Sequence, residues 1–200
     1  EEIIVGSLSR ILDLDKRATF VDIGSFVGYF ACFVSAYLDD QTKVYAIESN
    51  EGYYKYIRKS IRENKFNNMT VFNEALSDDS VTAYIRDKSV IYQDSGKNSG
   101  HGPNNTAPYE ITTITFDDLC ERERITPRIL KVDANGAEGK IFGGSNRCLQ
   151  DSILWIVLEL HVNTHLALTS PGYQRPDILR LLKSYDFDLF NIGGVRPPGN

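Results

Sequence analysis

The stretch Phe20-Val-Asp-Ile-Gly-Ser-Phe-Val-Gly-Tyr-Phe30 joins a short apolar run to a loop that contains two glycines. Residues 19–23 are mostly apolar or β-branched and predict a buried strand, whereas residues 29–38 form a dense apolar run of helical length. Gly24 and Gly28 lie between them, where glycine lets the backbone turn sharply and approach a ligand closely. A strand, a glycine loop and a helix with free N–H groups at its start together predict a site for a nucleotide-type cofactor.

The rest of the chain alternates strand-like and helix-like patterns, which predicts an α/β fold with a doubly wound, mostly parallel sheet. Two continuous apolar runs, 129–132 and 153–158, are typical of central strands buried on both faces. The other predicted strands are 43–47, 69–73 and 187–192, and the other predicted helices are 52–64 and 176–185.

The pattern changes between residues 80 and 115. Segments 81–85 and 109–115 alternate like antiparallel or edge strands and predict a small β insertion. They enclose the polar segment 94–108, which is rich in Gly, Asn and Ser. A polar loop of this length inside a compact domain is usually functional or disordered, so we interpret it as either a substrate-side lid or a plain mobile loop.

Composition fits one domain, because 200 residues with 42% hydrophobic and 24% charged residues can bury a substantial core. The net charge of -5 argues against a broad basic surface for nucleic acid or anionic membranes. No apolar run approaches the roughly 20 residues of a transmembrane helix, and the first residues lack the basic segment of a signal peptide. Helical spacing that begins uncapped, and a Pro-Pro-Gly end, suggest a domain excised from a longer chain, with neighbouring domains as possible partners.

Three cysteines are present, and they lie far apart in apolar or helical surroundings at positions 32, 120 and 148. Their spacing is not that of zinc ligands. We expect buried free thiols in a reducing compartment, which predicts a cytoplasmic protein.

Phe26 distinguishes between the two cofactor classes that use such a loop. A dinucleotide fold needs a bare glycine at this position so that the pyrophosphate can touch the backbone. The large side chain therefore argues against NAD or FAD, and a nicotinamide oxidoreductase is disfavoured. S-adenosylmethionine carries a positive amino group and a sulfonium but no phosphate, and Asp22 at the end of the first strand could hold its amino-acid end, directly or through water.

Acidic residues also follow the second and third predicted strands. Glu48 lies 24 residues after Gly24 and is placed to accept both ribose hydroxyls. Glu74 could accept from the adenine amino group, while Ala75 and Leu76 offer backbone and a flat apolar surface to the ring. The predicted cofactor-binding residues are Asp22, Gly24, Ser25, Gly28, Tyr29, Glu48, Ser49, Glu74, Ala75 and Leu76.

Six segments in the same order resemble the motifs of the FkbM family of methyltransferases. Ile129-Leu-Lys-Val-Asp-Ala-Asn-Gly-Ala-Glu-Gly-Lys-Ile-Phe-Gly-Gly144 is similar to its K-I-D-V-E-G-x-E-x-x-V-L-x-G signature. The other five similar segments are 20–28, 44–50, 73–78, 113–119 and 157–161. The resemblance implies a class I, Rossmann-like sheet of seven strands with an antiparallel last strand. It also implies methyl transfer from S-adenosylmethionine, usually to a hydroxyl of a sugar or secondary metabolite.

Asn135 departs from this signature, which has glutamate at the same position. Asparagine keeps one acceptor oxygen but loses the charge. If that glutamate serves substrate binding or acid–base chemistry, catalysis is impaired here. If it mainly fixes the turn before the following helix, the change is mild, because asparagine tolerates unusual backbone geometry.

Three residues at the predicted carboxyl edge are candidates for the base and its orienting partner. Asp133 ends the fourth central strand, and Glu159 and His161 end the fifth. His161 is the best base by intrinsic pKa, and the family resemblance favours Asp133. Glu159 is expected inside an apolar strand with a partner, for which Lys131 is a candidate. We expect no bound metal, because residues 162–170 look like a loop rather than a helix that would bring a second histidine beside His161.

The favoured hypothesis is O-methylation of a small molecule or glycan. N-methylation by the same fold and a domain that binds cofactor or a partner without turnover stay open as alternatives. Glu138 and Lys131 are interpreted as structural residues.

Overall fold

The computed structural model describes residues 2–38, 42–86, 89–91 and 109–192. The strands are β1 (Phe20–Ile23), β2 (Val44–Ile47), β3 (Met69–Phe72), β4 (Ala75–Leu76), β5 (Thr82–Arg86), β6 (Ser89–Ile91), β7 (Tyr109–Ile114), β8 (Ile129–Val132) and β9 (Trp155–Leu158). The helices are α1 (Glu2–Leu14), α2 (Tyr29–Tyr37), α3 (Glu51–Asn64), α4 (Phe116–Glu123), α5 (Glu138–Gly143), α6 (Asn146–Asp151), α7 (Asn163–Thr169) and α8 (Arg175–Ser184).

The central sheet has five parallel strands in the order β3-β2-β1-β8-β9. Ile23 at the end of β1 pairs with Ile47 of β2 and with Val132 of β8, so these three strands end level with one another. The strand order reverses at β1, since the chain runs outward to β2 and β3 on one side and returns to β8 on the other. Ligands of doubly wound sheets lie at such a switch point, outside the carboxyl ends of the strands.

Helices cover both faces of this sheet, as the sequence pattern predicts. On one face, Leu12 of α1, Val34 of α2 and Ile57 of α3 are fully buried against the strands. On the other, Phe142 of α5 and Ile178 of α8 belong to the larger core cluster. Local hydrogen bonds also hold the start of helices. Asn50, for example, caps α3 by accepting hydrogen bonds from the N–H groups of residues 52 and 53.

A second sheet has four strands in the order β4-β7-β5-β6 and confirms the predicted β insertion. β4 runs parallel to β7, whereas β5 is antiparallel to both β7 and β6. Its own small core contains Ala75, Ala83 and Ile85. The predicted substrate-side loop, 94–108, lies outside the described residues.

Two local predictions are wrong. Residues 187–192 do not form a strand, and Phe190 is 80% exposed, because none of the described strands lies beside the segment to pair with it. The count of seven strands, with an antiparallel last one, is therefore not confirmed in the described part of the chain. Residues 163–169, predicted as loop, form α7, which the fully buried Leu166 anchors to the core.

All three cysteines are free thiols; Cys120 and Cys148 are buried, whereas Cys32 is only partly buried. In the described ranges, no helix is both long enough and apolar enough to cross a membrane.

Candidate active site

A cavity of about 210 Å³ opens at the carboxyl edge of the central sheet, at the switch point between β1 and β8. It is lined by Ile23, Gly24, Phe26, Ile47, Glu48, Ser49, Tyr53, Glu74, Ala75, Leu76, Asp133, Ala134, Asn135, Ala137 and Ile141. Residues from the ends of β1, β2, β3 and β8 thus meet at one place, because the parallel strands carry their carboxyl ends to the same edge.

The backbone of the loop after β1 lies so close to residue 133 that position 24 has no room for a side chain. Gly24 has φ 73°, and a Cβ atom there would lie 2.0 Å from the carbonyl oxygen of Asp133. Phe26 also has a positive φ, 52°, which is unusual for a residue with a large side chain. This conformation directs the Phe26 N–H to a carboxylate oxygen of Glu48, 2.8 Å away. The strained backbone thereby connects the loop after β1 to the end of β2.

Glu48 is 8% exposed and lies on the cavity wall. Its two carboxylate oxygens accept the N–H groups of Phe26 and Asn50, each at 2.8 Å. Burial raises the pKa of Glu48, while these two hydrogen bonds act in the opposite direction. Each carboxylate oxygen can accept a second hydrogen bond, so the pair of ribose hydroxyls that the sequence assigns to Glu48 fits its remaining capacity.

The wall beyond Glu48 combines one acid with apolar surface. Ala75 and Leu76 are buried and line the cavity beside Glu74. Glu74 is held by Arg122, whose guanidinium donates to it at 2.6 Å. Asn73 donates to the carbonyls of residues 48 and 49 at 2.8 and 3.0 Å and so fixes the end of β2. This chemistry, an acid for hydroxyls next to a flat apolar wall, fits the adenosine part of S-adenosylmethionine.

Lys131 is buried and forms ion pairs with two carboxylates. Its ammonium nitrogen lies 3.1 Å from Asp22 and 3.7 Å from Asp133. It also faces the ring of Phe30, 5.1 Å from the ring centre. Burial lowers the pKa of Lys131, but the carboxylates of Asp22 and Asp133 outweigh it and leave that pKa raised. Asp22 itself is fully buried and does not line the cavity, so its place is that of a counter-ion to Lys131.

Asp133, Glu159 and His161 come together, as expected from the ends of adjacent strands. One polar atom of each lies within 4.8 Å of the others. Glu159 is exposed just after β9 rather than inside the strand, so burial does not require a partner for it. Donors at this spacing could hold a metal ion, but exposed acidic groups commonly lie this close without one, and the spacing alone assigns no metal.

Glu138, interpreted from the sequence as a structural residue, contacts the candidate base His161. It is fully buried, and one of its oxygens lies 2.8 Å from Nδ1 of His161. The same oxygen accepts the N–H groups of Ala134 and Gly136. The hydrogen bond to Glu138 is the main reason that the pKa of His161 is raised. The sequence does contain a signal for this contact. Glu138 is part of the family signature, and its spacing from Asp133 places both residues beside the same turn.

Asn135 lies in that turn with φ 50°, followed by Gly136 with φ 95°. Asparagine is one of the few residues that adopt this left-handed conformation readily. Its place in the turn agrees with the milder of the two interpretations of the departure from the signature.

Seven of the thirteen predicted site residues line the cavity, namely Gly24, Glu48, Ser49, Glu74, Ala75, Leu76 and Asp133. His161 and Glu159 are not among the lining residues but lie close to Asp133, which is. Ser25 and Gly28 are buried in the loop behind it, where the Ser25 hydroxyl donates to the carbonyl of Asp22. Tyr29, which is 51% exposed, also does not line the cavity. The prediction omitted Tyr53, whose ring packs edge-on against Phe26 with 4.4 Å between the ring centres.

Three solved structures to which this chain is similar are described as methyltransferases, all at low sequence identity. A S-adenosylmethionine-dependent methyltransferase from Aquifex aeolicus matches with a TM-score of 0.49 and 11% identity, over 90% of this chain and 78% of that one. Precorrin-6y C5,15-methyltransferase from Geobacter metallireducens gives 0.46 and 15%, over 84% and 62% of the chains. The O-methyltransferase TomG from Streptomyces achromogenes, solved with S-adenosylmethionine, gives 0.42 and 14%, over 92% and 65%. The chain therefore spans less than two thirds of the last two proteins.

A search of curated proteins gives no significant match. The family model of the FkbM methyltransferase domain, in contrast, matches residues 22–189, which include the cavity, the signature and the end of β9. The chain belongs to the FkbM family of S-adenosylmethionine-dependent methyltransferases.

Proposed function

We propose that this chain transfers the methyl group of S-adenosylmethionine to a hydroxyl oxygen of a small molecule or a glycan. The observation that carries the proposal is the continuity of the cavity wall from Glu48 to Asp133, beside which His161 lies. One end of the wall suits a nucleoside, and the other ends in groups that can accept a proton.

The cofactor end uses residues that are already fixed by the backbone. Glu48 would accept the ribose hydroxyls, Gly24 would permit close approach, and Ala75 with Leu76 would pack against the adenine; all four residues line the cavity. When bound, S-adenosylmethionine supplies an electrophilic methyl group on a positive sulfur. Asp133, at the far end of the same wall, contributes negative charge near that sulfonium.

At the acceptor end, His161 takes the proton of the hydroxyl while the oxygen forms its bond to the methyl carbon. The cofactor would supply the methyl carbon in this displacement and would be left as a neutral thioether that keeps the electrons of the former carbon–sulfur bond. Asp133 and Glu159 orient the acceptor and stabilise the imidazolium that results. Holding both partners in line supplies much of the rate acceleration expected of such a site.

Asn135 is relevant to the alternative that the domain binds a cofactor or a partner without catalysing methyl transfer. Its left-handed backbone supports a role in forming the turn, and the proton-accepting groups proposed here do not include it. We therefore favour an active enzyme over a binding domain. N-methylation of a small substrate remains the alternative that the experiment below separates.

Thermal unfolding with and without ligands tests the cofactor. S-adenosylmethionine and its demethylated product should both raise the unfolding midpoint, because a ligand at 100 times its Kd stabilises the native state by about 2.7 kcal/mol. NAD should leave the midpoint unchanged. A shift with NAD, or none with either sulfur compound, would overturn the cofactor assignment.

Transfer of labelled methyl groups to paired acceptors tests the reaction. A panel in which each hydroxyl compound is matched by its amine analogue should give label on the hydroxyl members. Label only on the amines would support N-methylation, and binding of cofactor without transfer to any member would favour the domain without turnover.

A further inference from the structure

We propose that Glu138 is a positioning residue that holds His161 in the tautomer and orientation required for proton transfer. The inference rests on the proposed function and adds a second residue to its acceptor end. Glu138 begins α5, whereas His161 follows β9, so the pair joins two elements that the sequence separates by 23 residues.

The contact is suited to fixing a tautomer. Glu138 is fully buried, and its oxygen lies 2.8 Å from Nδ1 of His161. A carboxylate can only accept at this position, so the neutral imidazole must carry its proton on Nδ1. Nε2 is then the basic nitrogen of the ring. Proton transfer from an acceptor hydroxyl would therefore go to Nε2, with Nδ1 held against Glu138.

The same carboxylate oxygen also fixes the turn that follows β8. It accepts the N–H of Ala134 at 3.2 Å and that of Gly136 at 3.0 Å. Asp133 directly precedes this turn. Glu138 thus sets the position of His161 relative to Asp133, since it is bonded to the histidine and to the backbone next to the aspartate.

The charges that face His161 come from three elements in the described part of the chain. They are Glu138 at the start of α5, Asp133 after β8 and Glu159 after β9, and all three raise the pKa of His161. Partial burial of the imidazole acts in the opposite direction. The raised pKa means that the imidazole keeps its proton to a higher pH than usual. A base must be neutral, so methyl transfer should increase as the pH rises through this pKa.

Glu138→Gln tests the proposal, because glutamine keeps an acceptor oxygen for the two backbone N–H groups but removes the charge. NMR of ring-labelled histidine can follow His161 directly, since the chain has only three histidines and His161→Asn assigns its signal. We expect the pKa of His161 to fall by about one pH unit in the variant, a typical effect of losing one neighbouring opposite charge. The Nδ1–H tautomer should persist in this variant, because the glutamine oxygen can still accept from Nδ1, whereas Glu138→Leu, which offers no acceptor, should lose it.

Methyl transfer should follow the same change. The acidic limb of the pH profile of kcat should move down by the same amount as the NMR pKa in Glu138→Gln, while the maximal kcat falls. Glu138→Asp keeps the charge on a shorter side chain and should recover part of the pKa of His161. A role in folding alone would move neither the limb nor the tautomer.

Asp117→Asn is the matched control, because the Asp117 carboxylate also accepts two backbone N–H groups, at 2.8 and 2.9 Å, but lies outside the cavity. It should change stability without shifting the pKa of His161. An unchanged pKa of His161 in Glu138→Gln, or an unchanged tautomer in Glu138→Leu, would overturn the proposal. The NMR measurement needs no methyl acceptor, so a protein that shows this coupling yet methylates no hydroxyl contradicts the proposed function and not the pairing.

Discussion

The two ends of the cavity hold their carboxylates in different ways. Glu48, at the cofactor end, is bound by backbone N–H groups of Phe26 and Asn50. Asp133, at the acceptor end, depends on the side chain of Lys131, 3.7 Å away, and lies in a cluster with two further ionisable groups. The positions of backbone N–H donors are determined by the conformation of short loops. Charged side chains, in contrast, depend on one another for electrostatic compensation.

This difference predicts where substitutions act. At the cofactor end, loss of one side chain should weaken ligand binding, because the donors that remain are neutral and partly accessible to water. At the acceptor end, removing one charge leaves another buried without compensation, and the cost falls on the stability of the whole domain. The three predictions below test that contrast, beginning with the largest effect.

Lys131→Met should give the largest loss of stability. It leaves the fully buried Asp22 without its counter-ion, and breaking a buried pair in this way costs about 3–5 kcal/mol. Urea unfolding followed by circular dichroism measures the change. The double variant Asp22→Asn with Lys131→Met should recover much of the loss, because no unpaired buried charge remains. A loss below about 1 kcal/mol for Lys131→Met would show that Asp22 is not held by this pair.

Glu48→Ala should weaken S-adenosylmethionine binding by about 100-fold, since each hydrogen bond to a charged acceptor contributes about 1.5–3 kcal/mol. Isothermal titration calorimetry at a pH well above the raised pKa of Glu48 measures the affinity. Glu51→Ala is the control, because Glu51 is an exposed carboxylate near Glu48 in sequence, at the start of α3, and pairs with Lys55. Equal affinities for the two variants would remove Glu48 from the cofactor site.

Asn135→Glu should have the smallest effect, about 1 kcal/mol of lost stability, because glutamate is less favourable than asparagine in the left-handed region. Asn135→Gly, which tolerates the same φ without strain, separates the effect of the backbone conformation from that of losing the side chain. Thermal unfolding and methyl-transfer rates of both variants provide the measurement. A large gain in rate with glutamate would show that the residue takes part in the chemistry.

Much of the fold follows from patterns that are local in sequence. Residues 20–23, 44–47 and 129–132 form strands because short β-rich runs lie between glycine or polar breaks. The segment 187–192 has a similar pattern but forms no strand, since a strand needs a neighbour with which to exchange hydrogen bonds. Conversely, residues 163–169 lack a strong helical pattern and form a helix through the burial of Leu166.

The candidate site likewise contains some residues that could be predicted from the sequence and others that could not. Gly24 and Glu48 could be predicted from the sequence, because a glycine loop after one strand and an acid after the next have fixed places in a doubly wound sheet. The same pattern predicted Asp22 as a cofactor-binding residue. Its ion pair with Lys131, however, depends on the pairing of β1 with β8. Periodicity along the chain does not reveal which strand lies next to which.

The sequence by itself therefore determined the α/β class, the family, and the edge of the sheet at which the cofactor residues meet. Only the tertiary structure decided how charges are paired at that edge, because Lys131, Glu138 and His161 find their partners across strands and helices far apart in the chain. A strand or a glycine turn is specified by neighbouring residues, whereas a buried carboxylate acquires its function from whichever donor the completed fold places within about 3 Å.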